Sequence, residues 1–122
     1  MPQKILIIED DKFVRDLITK LLTKEGFDVS IAVNGREGIE KLEKEPPDLV
    51  LLDLLLPGTD GFEILTMRKT NPELLKIPVI ILSNLGQKEE IERGLELGAV
   101  NYLIKAHFSP REIVDKIKKV FE

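Results

Sequence analysis

Leu49-Val50-Leu51-Leu52-Asp53 is an unbroken aliphatic run closed by one carboxylate, and Leu54-Leu55-Leu56-Pro57-Gly58 follows it. A short uninterrupted run of this kind reads as a strand buried on both faces, and the Pro-Gly pair requires the chain to turn soon after. Asp53 is therefore expected at a strand's carboxyl end. A charge beside such a run is costly unless it is paired, hydrated or bound to metal, which points to a chemical reason for keeping it. A turn-initiating Asp is the plainer reading, and it would be preferred if Asp53 stood alone.

The same grammar extends upstream. Lys4 to Ile8 is a second buried-strand pattern and leads straight into Glu9-Asp10-Asp11. Phe13, Val14, Leu17, Ile18, Leu21 and Leu22 then recur at helical spacing until Gly26 supplies a stop. Phe27 to Val33 alternates as a strand does, and Asn34 with Glu37 makes a helix cap ahead of Ile39 and Leu42. Pro46-Pro47 ends that helix. Downstream of the central run, Asp60 and Glu63 repeat the cap spacing around Phe62, Ile64 and Leu65. Pro78 to Leu82 forms a fourth strand, entered through a proline and stopping at Ser83-Asn84. Gln87 to Leu97 reads as a fourth helix, heavily charged, with mainly Ile91, Leu95 and Leu97 to bury and hence weakly anchored. Val100 to Ile104 is a fifth strand ending at Lys105. Ser109-Pro110-Arg111-Glu112 opens a fifth helix that carries Ile113, Val114, Ile117, Val120 and Phe121. Five strands alternating with five helices over short connections predict an α/β fold with a parallel sheet covered on both faces.

Composition narrows the function classes. A chain of 122 residues with 43% hydrophobic content is expected to form one domain, residues 1–122, around a single fold. The net charge of −4 argues against direct nucleic-acid binding, because phosphate neutralisation needs a basic surface. Lys116, Lys118 and Lys119 form a basic end to the last helix, explained by solvation and the helix dipole. The absence of cysteine excludes disulfides and thiolate metal sites. No apolar run has the length of a membrane span or of a secretory h-region, so a cytoplasmic location without membrane contact is the expectation.

In sheets of this class, ligands sit beyond the strands' carboxyl ends, where the winding direction reverses. The polar residues ending strands are Glu9, Asp10 and Asp11 after the first, Asp53 after the third, Ser83 and Asn84 after the fourth, and Lys105 after the fifth. Two carboxylates about 5 Å apart repel by roughly 3 kcal/mol at an effective dielectric near 20, so a cluster of three calls for a cation or a shared proton. An all-oxygen donor set suits Mg2+. Lys105 could then hold an anionic oxygen, Ser83 offer a hydroxyl to another, and Asp53 act as a nucleophile toward phosphorus. Any one of these residues alone would equally fit a cap or a structural ion pair. The joint placement is what points to phosphoryl transfer.

The sequence resembles the receiver domain of two-component response regulators, the CheY-like superfamily. The likeness runs through Lys4-Ile5-Leu6-Ile7-Ile8-Glu9-Asp10-Asp11, Asp48 to Asp53, Leu56-Pro57-Gly58-Thr59-Asp60-Gly61, Ile77-Pro78-Val79-Ile80 and Gly98-Ala99-Val100-Asn101-Tyr102. The resemblance implies a doubly wound flavodoxin-like (βα)5 sandwich with strand order 2-1-3-4-5. It implies Asp53 as phosphoacceptor and Glu9, Asp10, Asp53 and the Leu55 carbonyl as Mg2+ ligands. Lys105 would be the phosphate-contacting base, and Ser83 and Tyr102 the switch pair. Such a domain catalyses its own aspartyl phosphorylation and dephosphorylation. Its implied donor is a sensor histidine kinase or histidine phosphotransfer protein. A downstream protein would read the face made by the fourth helix, fifth strand and fifth helix, with the domain a monomer or transient homodimer.

Two departures from the family pattern matter. Its lysine is usually followed by proline, whereas this chain reads Lys105-Ala106-His107-Phe108. A cis peptide before a non-proline costs about 3–4 kcal/mol, so a trans bond and a rearranged loop are expected. Asn84 stands where a small residue is more usual, making Asn84, Ala106 and His107 candidate modulators, although a loop histidine beside Phe108 reads first as surface. Two other functions compete. An aspartyl-intermediate phosphatase would carry its nucleophile after the first strand, with a second Asp two residues on. A phosphorylation-independent pseudo-receiver acting as an interaction scaffold remains the main alternative.

Overall fold

Alternation of aliphatic and amphipathic segments is realised as a βα rhythm in the computed structural model, which describes residues 2–122. The elements are β1 (Lys4–Ile8), α1 (Lys12–Lys24), β2 (Asp28–Ala32), α2 (Gly35–Lys44), β3 (Leu49–Leu52), α3 (Gly61–Lys69), α4 (Pro72–Leu75), β4 (Val79–Ser83), α5 (Lys88–Glu96), β5 (Asn101–Ile104) and α6 (Pro110–Val120). The five strands are all parallel, in the order β2-β1-β3-β4-β5. This is the doubly wound flavodoxin-like topology expected.

Side chains on a strand alternate between faces, and the central strands use both. Leu6, Ile8, Val50, Leu52 and Ile81 face one layer, packed under α2, α3, α4 and α5 through Leu42, Phe62, Leu65, Leu74 and Ile91. Ile5, Ile7, Leu49, Leu51 and Ile80 face the other, against Ile18 and Leu22 of α1 and Ile113, Val114 and Ile117 of α6. The register sets Ile7 beside Leu51 and Leu51 beside Ile80, so neighbouring strands present matched apolar rows. This explains why the runs over 5–8, 49–52 and 79–82 contain no polar residue.

The caps fall where the sequence places them. Asn34 accepts from the Glu37 amide at 2.9 Å, Asp60 from Glu63 at 3.0 Å and Ser109 from Glu112 at 3.1 Å. Gly26 leaves α1 at φ 92°, a left-handed turn that suits glycine.

Three details differ from the sequence reading, and one expected departure is found. A sixth helix, the single turn α4, lies between α3 and β4, started by Asn71, whose side chain accepts from the Glu73 amide at 3.0 Å, and by Pro72. Phe13 is not core: it is 76% exposed, because the buried stripe of α1 is Arg15, Ile18 and Leu22. Leu95 is half exposed, and the residue of α5 that is buried is Gly94, which lies against Ile81 and Tyr102. Residues Lys105–His107 form a single 3-10 turn, and no cis peptide occurs among the described residues, in line with the trans bond expected at Lys105-Ala106.

Helix α3 starts against the end of β3. The Gly61 amide donates to the Leu54 carbonyl at 2.9 Å, and a Cβ at Gly61 would lie 2.6 Å from the Asp53 carbonyl oxygen and 2.8 Å from the Leu54 Cα. Both obstacles are backbone and cannot rotate away. Gly61→Ala is expected to cost about 1–3 kcal/mol, as overpacking does, read as a lower urea midpoint at unchanged m-value.

Candidate functional site

The winding reverses between β1 and β3, since β2 lies outside β1 while β4 and β5 lie beyond β3. Parallel sheets open a crevice at the carboxyl ends of such a strand pair. There the Asp53 amide donates to the Ile8 carbonyl at 3.0 Å and the Glu9 amide to the Ala32 carbonyl at 3.0 Å, so both acidic tips are fastened to neighbouring strands.

Glu9 and Asp53 are buried, at 2% and 5% exposure, and Asp10 is open to solvent. Carboxylate oxygens of the three lie within 4.8 Å of one another. Lys105, from the turn after β5, inserts between them. Its Nζ donates to Asp53 Oδ2 at 3.1 Å and stands 2.6 Å from Glu9 Oε1, an ion-pair contact without hydrogen-bond alignment. The other oxygens are held by main chain: the Leu55 amide donates to Asp53 Oδ1 at 3.2 Å, and the Asp11 amide to Glu9 Oε2 at 3.1 Å. Asp11 also caps α1 through the Val14 amide at 3.2 Å.

Burial pushes the Glu9 carboxyl up to about 7; the contact with Lys105 opposes that rise and the Asp53 charge adds to it. Burial also works against the Lys105 charge, but Glu9 and Asp53 outweigh it and hold the ammonium above its ordinary range. The site therefore has more negative charge than one lysine neutralises. Three oxygen donors, one of them Glu9 Oε1 with no aligned hydrogen bond, fit a hard divalent cation such as Mg2+. Glu9, Asp10 and Asp53 could hold it.

Ser83 ends β4 fully buried, its Oγ accepting from the Leu85 amide at 3.2 Å. The Tyr102 hydroxyl donates to the carbonyl of the same Leu85, and burial raises its pKa, followed by the Glu90 charge. Leu85 thus links the two residues. Asn84, Ala106 and His107 are exposed, and Asn84, Lys105, Ala106 and Phe108 line a groove that runs to Phe13 and Leu17 of α1. The sequence reading missed Arg15, whose guanidinium Nη1 donates to the Glu9 carbonyl at 3.0 Å. An arginine at an apolar helical position was the available signal.

Fold and site together define a doubly wound α/β domain with an acidic, lysine-bridged crevice at the switch point. A family model for the response regulator receiver domain matches residues 5–118, and the chain belongs to that family. Its members serve two-component signalling with histidine kinases and downstream partners. A response regulator from Chloroflexus aurantiacus J-10-fl is similar at 32% identity with TM-score 0.89, covering 98% of each chain. A CheY-like receiver domain protein from Methanospirillum hungatei JF-1 is similar at 32% identity with TM-score 0.87, covering 98% of this chain and 93% of that one. The Mn2+-bound form of response regulator Rcp1 is similar at 32% identity with TM-score 0.79, covering 84% of this chain and 80% of that one.

Proposed function

We propose that residues 1–122 act as one receiver domain that takes a phosphoryl group from a phosphohistidine onto Asp53. The donor is a sensor histidine kinase or a histidine phosphotransfer protein. The observation that carries this reading is the meeting of Glu9, Asp10 and Asp53 with Lys105 in one crevice. Mg2+ would be held by the three carboxylates and the Leu55 carbonyl, and a similar response regulator known in a Mn2+-bound form supports divalent-ion binding. A bound Mg2+ supplies positive charge to the oxygens of the group in transfer.

An Asp53 Oδ attacks phosphorus, the new O–P bond forms as the donor's N–P bond breaks, and the released imidazole nitrogen keeps the electron pair and takes a proton from solvent. Leu55 and Lys105 hold the Asp53 carboxylate from either side, so it is oriented before the donor arrives. Lys105 then turns its charge to a phosphoryl oxygen, where negative charge has grown. A phosphoryl group of charge near −2 draws the Ser83 hydroxyl, which is at present bonded to the Leu85 amide. Moving Ser83 loosens Leu85 and with it the Tyr102 hydroxyl, so the face of α5, β5 and α6 changes for a downstream protein. Only Gly94 of α5 is buried, which suits a movable element.

Incubation with Mg2+ and acetyl phosphate, followed by intact mass measurement, tests the reading. One phosphoryl adduct that is lost in Asp53→Asn supports it. No adduct under donor excess leaves the phosphorylation-independent scaffold as the better account.

A further inference from the structure

We propose that Arg15 is a positioning residue for the acidic tip, fixing the Glu9-Asp10 main chain so that its carboxylates converge on Asp53. The proposal rests on the divalent-cation site described above. Beyond Ile8 the tip has left the sheet, and the strands pair only up to Ile8 with Ala32 and Leu52. The Glu9 amide is still tied to Ala32, but its carbonyl lies beyond the paired strand residues and accepts from Arg15 Nη1 at 3.0 Å. The peptide that this carbonyl belongs to is the one joining Glu9 to Asp10. Its orientation sets where the Asp10 side chain leaves the backbone.

Burial of the Arg15 charge has a cost, and what distinguishes it from the other buried arginine, Arg68, is the carbonyl it serves. Arg15 occupies the buried stripe of α1 with Ile18 and Leu22, at 9% exposure, where an aliphatic side chain would pack without desolvating a charge. Its Nε finds no partner among the described residues, so the guanidinium is incompletely compensated. What it does secure is one main-chain carbonyl beside two carboxylates. The helix that carries Arg15 is itself anchored to the tip, since Asp11 caps it and the Arg15 amide donates to the Asp11 carbonyl at 3.0 Å. Glu9, Asp10 and Asp11 are thereby closed into a loop fastened at both ends, and removal of the Arg15 bond opens one of them.

The test measures Mg2+ binding alone by titration calorimetry, without phosphodonor, on the full chain. Arg15→Met keeps an unbranched apolar stem in the buried stripe and removes the donor; its dissociation constant is expected to rise roughly tenfold or more, as loss of a supporting contact around a metal site does. Arg15→Lys keeps one shorter donor and should fall between the two. Arg68→Met is the control: Arg68 is also buried, bonding the Ile77 and Leu75 carbonyls far along the chain from the tip, and it should lower the melting temperature while leaving Mg2+ affinity unchanged. A folded Arg15→Met with wild-type affinity overturns the proposal, as does equal weakening in Arg68→Met. If Arg15→Met does not fold, Arg15→Lys decides, and wild-type affinity in that variant overturns it. No saturable Mg2+ binding by the wild-type chain overturns the cation site itself, a failure visible before any variant is made.

Discussion

Lys105→Ala is expected to slow phosphoryl uptake at Asp53 by roughly 10²–10³-fold, the usual cost of removing one preorganised group that meets charge developing in a transition state. Three observations set that size. The Lys105 side chain is 15% exposed, so its charge acts with little water around it. It is held in place before reaction by Glu9 and Asp53, and so needs little rearrangement to reach a phosphoryl oxygen on Asp53. No other cation lies within ion-pair distance of either carboxylate among the described residues, so no neighbour can substitute. The measurement is the initial rate of adduct formation by intact mass at saturating Mg2+, with Asp53→Asn as blank. Lys105→Arg should recover only part of the rate, because a planar fork on a longer stem does not place its charge where the ammonium sits. A rate for Lys105→Ala within about threefold of wild type would remove Lys105 from the chemistry.

The lysine also shows how far the sequence could be read. The three central strands were legible because each is buried on both faces and so carries an unbroken aliphatic run, and the edge strand β2 because its exposure alternates. Glu9, Asp53, Ser83 and Lys105 were legible because each interrupts such a run at its end, and a parallel sheet gathers those ends on one side. The reach of Lys105 was not legible: it depends on the 3-10 turn at Lys105–His107, where the residue after the lysine is Ala106. Phe13 misled for another reason. Spacing shows that α1 has an apolar face but not its limits, and the edge position went to solvent while Arg15 was drawn inward by the Glu9 carbonyl. The burial of Gly94 is a matter of size, since a Cβ there would lie 2.6 Å from Ile81 Cδ1 and 3.1 Å from the Tyr102 ring. The turn α4 is too short for any periodicity, although Asn71-Pro72 marks its start.

The acidic tip should make the domain less stable as pH rises, a tendency opposite to that of most surface carboxylates. In buffer with a chelator, unfolding free energy is expected to fall between pH 4.5 and about 7, the ordinary and folded-state values for Glu9. The sign follows from proton count. In that window the folded chain holds the Glu9 proton that the unfolded chain has released, so each step up in pH favours unfolding. The contribution is complete below pH 4.5 and gone above about 7. At about 1.4 kcal/mol per unit the loss is at most roughly 3–4 kcal/mol. Asp16 and Glu112 have the opposite sign: their pKa values are lowered, so their contributions are gained as pH rises through the ordinary values of 3.8 and 4.5, at or below the window's lower edge. Glu9→Gln imitates the protonated side chain at every pH, so it should abolish the slope and denature at higher urea than wild type above pH 7. Mg2+ should reverse the order by binding the folded wild type, stabilising it with a logarithmic dependence on concentration that the Gln variant shows weakly. The charge retained for cation binding would then be the charge that weakens the empty fold. A slope that survives Glu9→Gln unchanged assigns the proton to another group and breaks that connection.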